Sequence, residues 1–310
     1  MKDDRPDPRD RGIPDRFPAA DKGYALYDNV EYREHWEGLH QARQDALERH
    51  IISGMLPAEG RRIIDLGCGY GRLAPIYLDR FDQAVLYDGS LALLRDARHT
   101  FGDRAVYVAG DMASLPFRVS SFECVMTIRV LQHLRELPSA LEGIRRIMAK
   151  DGSVVFSYYN KRNAHRILHY FKARKVGDPF SPEPAEISPT MIAQHPARFG
   201  QLLSGAGLSQ PEYRGAVVMD SIASITDRFG GHRPAGSKWA PFMGKYRLAP
   251  WLIGRSFAEG NGALPTTDSD AELFECPVCR GHLNRSDHAL ECVACQRGYP
   301  IDDGIYDFRL

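Results

Sequence analysis

The sequence has no apolar run of the roughly 18–20 residues that a helix needs to cross a bilayer. Its first 21 residues are charged and rich in proline, so neither a secretory signal nor a membrane partner is expected. Forty basic residues balance forty acidic residues, which disfavours a strongly basic nucleic-acid binder but leaves a local basic patch open. Only six cysteines occur, four of them in two close pairs. This pattern suits a metal site in a reduced compartment better than a disulfide framework, so we expect a cytoplasmic protein.

What the sequence does have is an alternation of apolar strands with helical patterns. Helix starts are expected at Ser90 and, from a capping box, at Ser139. The alternation predicts a doubly wound, mostly parallel α/β sheet of seven strands with helices on both faces. The last two strands are expected to be antiparallel neighbours, and the seven runs lie at residues 63–66, 84–87, 105–109, 122–128, 153–158, 212–219 and 247–253.

Composition divides the chain into four parts. Residues 1–20 predict a flexible arm, because four prolines stand among alternating charges. Residues 21–257 are expected to form the α/β domain, with an insertion at about 160–193 that is first basic and aromatic and then rich in proline. Turn-forming residues follow in quick succession at 258–272, which predicts a linker. Residues 273–310 are left as a small C-terminal domain.

A glycine-rich turn after the first strand is the most informative short motif. It reads Ile64-Asp65-Leu66-Gly67-Cys68-Gly69-Tyr70-Gly71, and glycine lets a ligand approach the backbone closely. A dinucleotide fingerprint would place its third glycine at position 72, where this chain has Arg72. The acid before the first glycine, Asp65, instead suits a ligand with a cationic amino-acid tail.

Two further acids close the next two strands. Asp88 stands 23 residues after Asp65 and can accept hydrogen bonds from both hydroxyls of a ribose. At the end of the third strand, Asp111 can accept from an exocyclic amino group, and Met112 can pack on a purine face. As alternatives, Asp88 only caps a helix, Asp111 only caps a turn, and the glycine run is a plain strand-to-helix turn.

In this order the motifs resemble the class I methyltransferases that use S-adenosylmethionine, over residues 62–160. Leu115-Pro116-Phe117 and Val130-Leu131-Gln132-His133-Leu134 extend the resemblance, and Glu123 departs from it, because the family usually has aspartate there. The resemblance implies that the glycine turn and its leading acid hold the methionine part, the second acid the ribose and the third the adenine. The implied cofactor contacts are Asp65, Gly67, Cys68, Gly69, Gly71, Asp88, Gly89, Asp111, Met112 and Arg129.

Such a site needs little from the protein beyond alignment. A sulfonium carries its own leaving group, so the site has to align the acceptor and exclude water, and a base is needed only for a protonated acceptor. His133 is the candidate base, with packing at a helix start as the alternative. Arg129 contacts the cofactor or an acidic acceptor, or else forms a surface salt bridge. Cys124 lies inside the fourth strand, where we expect it to pack rather than to act as a nucleophile.

Two C-x-x-C pairs near the C-terminus predict a structural zinc site, because four thiolates from two turns close a tetrahedral shell and leave no open position. Residues 273–310 resemble the small zinc-ribbon proteins that activate methyltransferases acting on transfer RNA, ribosomal RNA and release factors. Those proteins are usually separate subunits that pair with the enzyme by a sheet edge. The resemblance therefore implies a ribbon fused in cis that docks on the methyltransferase domain. The expected zinc ligands are Cys276, Cys279, Cys292 and Cys295.

The acceptor stays open at this level. Neutral net charge and the aromatic, proline-rich insertion slightly favour a small molecule, whereas the ribbon favours an RNA or a translation factor. A basic face of His165, Arg166, His169 and Lys172 suits a phosphate or an acidic substrate, or is simply solvated. A non-catalytic adapter that binds the nucleoside cofactor is the third hypothesis, and the intact glycine turn and both cofactor acids argue against it.

Overall fold

The computed structural model describes residues 39–172, 177–216, 237–259, 262, 264 and 273–309. The expected arm at residues 1–20 lies outside this range, as does most of the expected linker at 258–272. The strands are β1 Gly60–Leu66, β2 Phe81–Asp88, β3 Val106–Ala109, β4 Phe122–Thr127, β5 Met148–Tyr159, β6 Ala185–Ser188, β7 Met191–Ala193, β8 Glu212–Ala216, β9 Trp251–Phe257, β10 Leu283–Arg285, β11 Ala289–Cys292, β12 Gly298–Asp302 and β13 Ile305–Asp307.

Six α-helices occur within the same described ranges, and most of them connect strands of the sheet. Ser90 caps the second helix as expected, because its hydroxyl accepts a hydrogen bond from the backbone N–H of Leu93. The helices are α1 Leu39–Met55, α2 Leu91–Phe101, α3 Leu137–Ile147, α4 Ala164–Phe171, α5 Pro196–Gly205 and α6 Ala240–Lys245.

The doubly wound, mostly parallel sheet expected from the sequence is confirmed. Its seven strands lie in the order β3-β2-β1-β4-β5-β9-β8. The first four neighbouring pairs are parallel, and β9 is antiparallel to both β5 and β8. The carboxyl ends of β1 to β4 therefore meet at one edge of the sheet, which is where ligands of open α/β sheets bind.

Alternation along the strands builds a core on each side of the sheet. In β1, Ile63 and Ile64 are both fully buried but belong to different apolar clusters, one on each face. One cluster is covered by α3 and α5, through side chains such as Ile144 and Phe199. The other is covered by α1 and α2, through side chains such as Ile52. Two-sided burial explains why these strands have continuous apolar sequences.

Several expected element boundaries are wrong: β5 begins at Met148 rather than at residue 153, and prolines explain two others. The helix expected to start at Ser139 begins at Leu137, because Pro138 has no N–H to leave unpaired and fits the first turn of a helix. The last strand, expected at residues 247–253, runs instead over β9, from Trp251 to Phe257. Arg247 has a left-handed φ of 55°, and Pro250 cannot donate to a ladder, so the chain cannot extend before Trp251.

Four C-terminal strands lengthen the sheet beyond β3. Strands β10 to β13 form an antiparallel meander, and β13 then pairs in parallel with β3, with Tyr306 opposite Val108. The turn between β12 and β13 contains Asp303 and Gly304, whose φ angles of 47° and 68° suit a tight hairpin. The complete order in the described residues is β10-β11-β12-β13-β3-β2-β1-β4-β5-β9-β8.

Candidate cofactor site and metal centre

The glycine turn after β1 bends sharply at the carboxyl edge of the sheet. Gly67, Gly69 and Gly71 all have positive φ, at 77°, 56° and 77°, which side chains tolerate poorly. Space is also limited, because a Cβ on Gly67 would lie 2.2 Å from Cγ2 of Val130. The N–H groups of Gly67 and Cys68 both donate to the carbonyl of Tyr87, at 2.7 and 3.1 Å, and this ties the turn to the end of β2.

Asp65 stands before this turn with its carboxyl group buried. Only 2% of the residue is exposed, and the hydroxyl of Tyr77 donates to its Oδ2 atom at 2.9 Å. Burial raises the pKa of Asp65 to about 7, and nearby Asp88 adds to this, although the Tyr77 hydrogen bond and Arg72 act in the opposite direction. A buried carboxyl group that ionises with difficulty gains from a cationic ligand, so the residue fits the ammonium group expected there.

Asp88 organises the backbone between the two strand ends. Its Oδ2 atom accepts from the N–H of Gly69 at 2.8 Å, and its Oδ1 atom accepts from the N–H of Ser90 at 2.9 Å. The carboxylate therefore braces the glycine turn while also starting α2. Each of its oxygens has a further lone pair, so the helix-capping alternative and the ribose role are compatible at this residue.

Asp111 and Met112 follow β3 on the same edge. Both are half-buried. The Oδ1 atom of Asp111 accepts from the N–H of Ala113 at 2.9 Å, as in a turn cap, and the Tyr87 hydroxyl donates to the Asp111 carbonyl at 2.8 Å. The N–H of Gly110 donates to the Asp88 carbonyl. The structure thus brings the ends of β1, β2 and β3, with their three acids, side by side.

The Arg129 side chain, expected to contact cofactor or acceptor, is held by protein groups. Its guanidinium donates to Glu48 on α1, with an Nε–Oε1 distance of 2.9 Å, and it lies over the ring of Trp251. Its backbone has a left-handed φ of 64°, and its N–H donates to the Ser157 hydroxyl at 2.8 Å. A non-glycine residue in this conformation costs about 1 kcal/mol or more, so these contacts hold the bend after β4 in a strained form.

Glu48, which the sequence analysis missed, joins this bend to the glycine turn. It is 1% exposed and pairs with Arg72 at 3.1 Å as well as with Arg129. Burial by itself raises the pKa of Glu48, but the two guanidinium groups outweigh it, so the net pKa is lowered. The sequence could have indicated Glu48, because it is a charged residue among the apolar positions of α1 and a buried charge is expected to be paired. Tyr77 and Trp251 gave no comparable signal.

His133 has partners for both ring nitrogens. Its Nδ1 atom lies 2.5 Å from the Thr190 carbonyl and its Nε2 atom 2.9 Å from the amide nitrogen of Gln132. The Gln132 amide also donates to the Arg129 carbonyl at 2.6 Å. Burial lowers the pKa of His133, and Arg129 lowers it further, against the effect of the Thr190 carbonyl. The ring thus connects the bend after β4 to the β6–β7 hairpin, and its use as a base stays a prediction.

The two other cysteines are buried in the α/β domain, Cys68 in the glycine turn and Cys124 in β4. Cys68 is 7% exposed and Cys124 is fully buried. Burial raises the pKa of Cys68 well above its usual value and that of Cys124 to about 12. Reactive cysteines need an accessible thiolate, so neither group fits a nucleophile, and Cys124 packs inside β4 as the sequence analysis expected.

The four C-terminal cysteines come together as one cluster. Their sulfur atoms all lie within 4.8 Å of one another, with Sγ–Sγ distances of 3.7 Å between Cys276 and Cys295 and 3.4 Å between Cys279 and Cys292. Sulfurs at about 2.3 Å from a common tetrahedral centre would lie about 3.8 Å apart. The donor set and its dimensions therefore fit zinc. A Cβ on Gly281 would lie 3.0 Å from the Cys292 sulfur, so a side chain at this position would crowd the cluster.

The C-terminal ribbon and the seven-stranded sheet share side-chain packing beyond the β13–β3 pairing. Phe274 is fully buried and packs on Phe117 from the sheet side, with ring centres 5.5 Å apart. The carboxylate of Glu275 pairs with Arg146 at the end of α3, at 2.6 Å. The N–H of Phe308 donates to the Ala109 carbonyl at the end of β3. The apolar core of the ribbon is thus continuous with one of the two cores of the sheet.

Comparison with known proteins gives the class of protein that the sequence motifs resemble. Residues 64–156 match the family described as a methyltransferase domain. A malonyl-[acyl-carrier protein] O-methyltransferase of Halorhodospira halophila is 32% identical over 111 residues, 34% of this chain and 38% of that protein. A demethylmenaquinone methyltransferase of Roseiflexus sp. is 30% identical over 179 residues, 51% of this chain and 72% of that protein. The chain spans 38%, 46% and 60% of the lengths of three curated relatives.

Solved structures with the same fold are more distant in sequence. A chain from a complex of the Haloferax volcanii Trm112 methyltransferase activator with a methyltransferase is 20% identical, with a TM-score of 0.52, over 74% of this chain and 99% of that one. An S-adenosylmethionine-dependent methyltransferase of Mesorhizobium loti is 18% identical, with a TM-score of 0.51, over 69% and 99%. Together with the sequence matches, the fold shows that this chain belongs to the S-adenosylmethionine-dependent methyltransferases.

Proposed function

We propose that this chain transfers a methyl group from S-adenosylmethionine to a small organic acceptor. The observation that carries the proposal is the arrangement of Asp65, Asp88 and Asp111 at the ends of three paired strands, around a bend of glycines with positive φ. Each part of the cofactor finds matching chemistry there. The ammonium group suits buried Asp65, the ribose hydroxyls suit Asp88, and the adenine suits Asp111 with Met112.

In this proposal the residues of the site act by binding and orientation. The bound cofactor supplies an electrophilic methyl group, so no residue has to activate a donor. Asp65 would give up its proton and pair with the ammonium group. Asp88 would accept the ribose hydroxyls, since each oxygen of a carboxylate can accept more than one hydrogen bond. The Glu48–Arg129 ion pair would keep the bend after β4 in one conformation, so that the bend orients the acceptor.

A small acceptor is supported by the names of the relatives and by the surroundings of the site. The relatives include methyltransferases named for demethylmenaquinone and for ubiquinone biosynthesis. The segment after β5 adds α4 and the β6–β7 hairpin next to the carboxyl edge of the sheet, where the Thr190 carbonyl contacts His133. Elements placed above this edge would enclose a small acceptor and exclude water.

A translation-related acceptor is the alternative, and the ribbon is the observation that favours it. The similar chain from Haloferax volcanii comes from a complex with an activator, and here β13 of the ribbon lengthens the sheet at β3. We propose that zinc bound by the four cysteines stabilises the ribbon, and that the ribbon supports the adenine side of the site through β3. Ribbons are reused for many purposes, so this arrangement supports no particular acceptor.

A non-catalytic adapter that binds the cofactor is the third hypothesis. The [4+2]-cyclase SpnF has the same fold, with a TM-score of 0.51 and 16% identity over 72% of this chain. A fold of this kind therefore does not by itself establish methyl transfer. The three acids and the glycine turn support cofactor binding under all three hypotheses, and only the fate of the methyl group separates them.

The test uses the full chain and cofactor with a radioactive methyl group. Cell extract is separated into small-molecule, RNA and protein fractions, and each is incubated with the wild type and with Asp88→Ala as the control. Label in the small-molecule fraction that depends on Asp88 is the expected result. Label in RNA or protein would support the translation-related alternative instead. Cofactor binding by calorimetry without label in any fraction would leave the adapter hypothesis.

A further inference from the structure

Exposed apolar side chains are concentrated in two segments of the chain. Eleven large apolar side chains are exposed in the described part of the chain, and seven of them lie in two segments, around α4 and around α6. Their exposed fractions run from 41% for Tyr170 to 73% for Phe171. We call these seven side chains the aromatic face: Leu168, Tyr170, Phe171, Phe180, Trp239, Phe242 and Tyr246.

The two segments adjoin each other beside the proposed active site. The N–H of Ala164, the first residue of α4, donates to the Leu248 carbonyl at 2.9 Å, so the start of α4 lies against the residues that follow α6. Strand β5 ends at Tyr159 and β9 begins at Trp251, and these two residues are paired. Both segments therefore leave the sheet at the carboxyl edge, where the cofactor site lies.

The rings of the aromatic face pack on each other but remain exposed. Phe180 lies 5.9 Å from Tyr170 and 6.1 Å from Phe171, measured between ring centres. Phe242 lies 4.8 Å from Tyr246 on the α6 side. Clusters of this kind are costly in water, because each exposed ring forfeits the stabilisation that burial would bring, and such patches mark interaction sites.

The charges within the α4 and α6 segments are all positive. Residues 162–172 and 237–247 contain no aspartate or glutamate, and the lysines Lys172, Lys238 and Lys245 are exposed. Asp178 and Glu183 stand on either side of Phe180 in the sequence, and Glu183 is paired with Arg198. Aromatic rings flanked by lysines match the interface of a bilayer whose headgroups are anionic.

We propose that the aromatic face docks on the surface of a lipid bilayer that carries anionic headgroups. The rings enter the interfacial layer, and Lys172, Lys238 and Lys245 lie among the headgroups. Within the described residues no helix is both long and apolar enough to cross a membrane, and docking needs none. The expectation of no membrane partner rested on the length of apolar runs, whereas this face combines side chains from segments far apart in the sequence.

Charge is the argument for a bilayer over other occupants. A second copy of this chain would bring the same lysines face to face, and like charges close together at an interface are unfavourable. An anionic surface instead gains about 1 kcal/mol for each lysine near it. If the proposed function holds, docking also lets an apolar acceptor pass from the bilayer to the carboxyl edge without crossing water. The docking itself depends on neither cofactor nor acceptor.

The experiment measures sedimentation of the full chain with lipid vesicles, without cofactor. One set of vesicles is phosphatidylcholine alone, and the other contains about one third phosphatidylglycerol. Three variants are compared with the wild type: Trp239→Ser with Phe242→Ser, Lys238→Gln with Lys245→Gln, and Val119→Ser with Phe257→Ser. The last pair removes exposed apolar side chains outside the aromatic face and is the control.

Binding of the wild type to anionic vesicles at least about tenfold tighter than to neutral ones is the expected result. Both variants of the aromatic face should lose about tenfold or more on anionic vesicles, and the control should stay within about twofold of the wild type. Wild-type protein that does not bind vesicles, or variants that all bind equally, would overturn the proposal. A wild-type dimer in light scattering that the Trp239→Ser, Phe242→Ser variant abolishes would assign the face to a second copy instead. Thermal melting confirms that each variant is folded.

Discussion

The guanidinium carbon of Arg129 lies 3.5 Å from the ring centre of Trp251. Arg129 follows β4, and Trp251 begins β9, so this stacking spans two elements about 120 residues apart in the sequence. Glu48 from α1 meets the same guanidinium. The bend after β4 is therefore held by two contacts that come from distant parts of the chain.

Replacing Glu48 should destabilise the protein strongly. Glu48→Gln leaves Arg72 and Arg129 without their shared carboxylate, and breaking a buried ion pair from one side costs about 3–5 kcal/mol. Urea unfolding measures the effect, and Glu142→Gln, at an exposed acid on α3, should change the unfolding free energy by less than about 0.5 kcal/mol. Equal effects of the two variants would contradict the ion-pair assignment.

The stabilisation of the protein by Glu48 should decrease at low pH. The pKa of Glu48 is lowered in the folded protein, so its contribution to stability is present above the ordinary pKa of a glutamate. It is lost as the pH falls through the lowered pKa, because the carboxyl group then takes up a proton and no longer pairs. The difference between wild type and Glu48→Gln should shrink in acid, and a difference independent of pH would argue against a charged pair.

Cofactor affinity should fall in acid because of Asp65. Burial raises the pKa of this residue to about 7, and only the ionised form can pair with an ammonium group, so affinity should drop toward tenfold per pH unit well below that value. Isothermal titration over a series of pH values measures it. Tyr77→Phe removes the hydrogen bond that lowers the pKa, so the midpoint should move upward. An unchanged midpoint in that variant would contradict the role of Asp65.

Asp65 should also limit stability above neutral pH. A carboxyl group whose folded pKa is raised holds its proton longer in the folded state, so its contribution to stability decreases as the pH rises from the ordinary aspartate value to about 7. Asp65→Asn should therefore raise the melting temperature at about pH 8 while it weakens cofactor binding. A lower melting temperature at that pH would show that the buried carboxylate is already compensated.

Asp88→Ala should weaken cofactor binding by about 1–3 kcal/mol, because hydrogen bonds to a charged group are lost. The variant also removes the acceptor of the Gly69 and Ser90 N–H groups, so part of the loss comes from a looser glycine turn. Asp88→Asn retains one acceptor oxygen and should lose less. Asp82→Ala lies at the exposed start of the same strand and serves as the control. Calorimetry that finds wild-type affinity for Asp88→Ala would remove the ribose role.

Cys279→Ser should release zinc and free the ribbon from the sheet. Three thiolates leave the tetrahedral shell incomplete, so the metal content should fall from about one equivalent toward zero. The ribbon then loses the folding free energy that structural zinc supplies, on the order of 10 kcal/mol. Hydrogen exchange should then accelerate at β13 and at its partner β3. Cys124→Ser, in the buried fourth strand, should keep its zinc. Full metal content in the Cys279→Ser protein would refute the metal assignment.

Much of the fold and part of the site follow from local sequence. The alternation of apolar runs and helical patterns predicted the parallel sheet, because each βαβ unit is encoded over a few tens of residues. Asp65, Asp88 and Asp111 could be placed together from the sequence, since each stands at the end of a strand. The predicted starts of α3 and β9 were wrong. Pro138 and Pro250 restrict the backbone, and this restriction outweighs the capping box and the apolar run from which the starts were predicted.

No local sequence pattern indicated which distant residues contact each other. The sequence alone identified the strand-end acids, the glycine bend and the four clustered cysteines, because each is a short motif whose chemistry depends on neighbouring residues. Three-dimensional packing set the Glu48–Arg129–Trp251 contacts, the pairing of β13 with β3 and the joining of two apolar segments into the aromatic face. The reason is that these contacts join residues more than 60 positions apart, and the closing of such long loops is encoded by the whole core rather than by any local pattern.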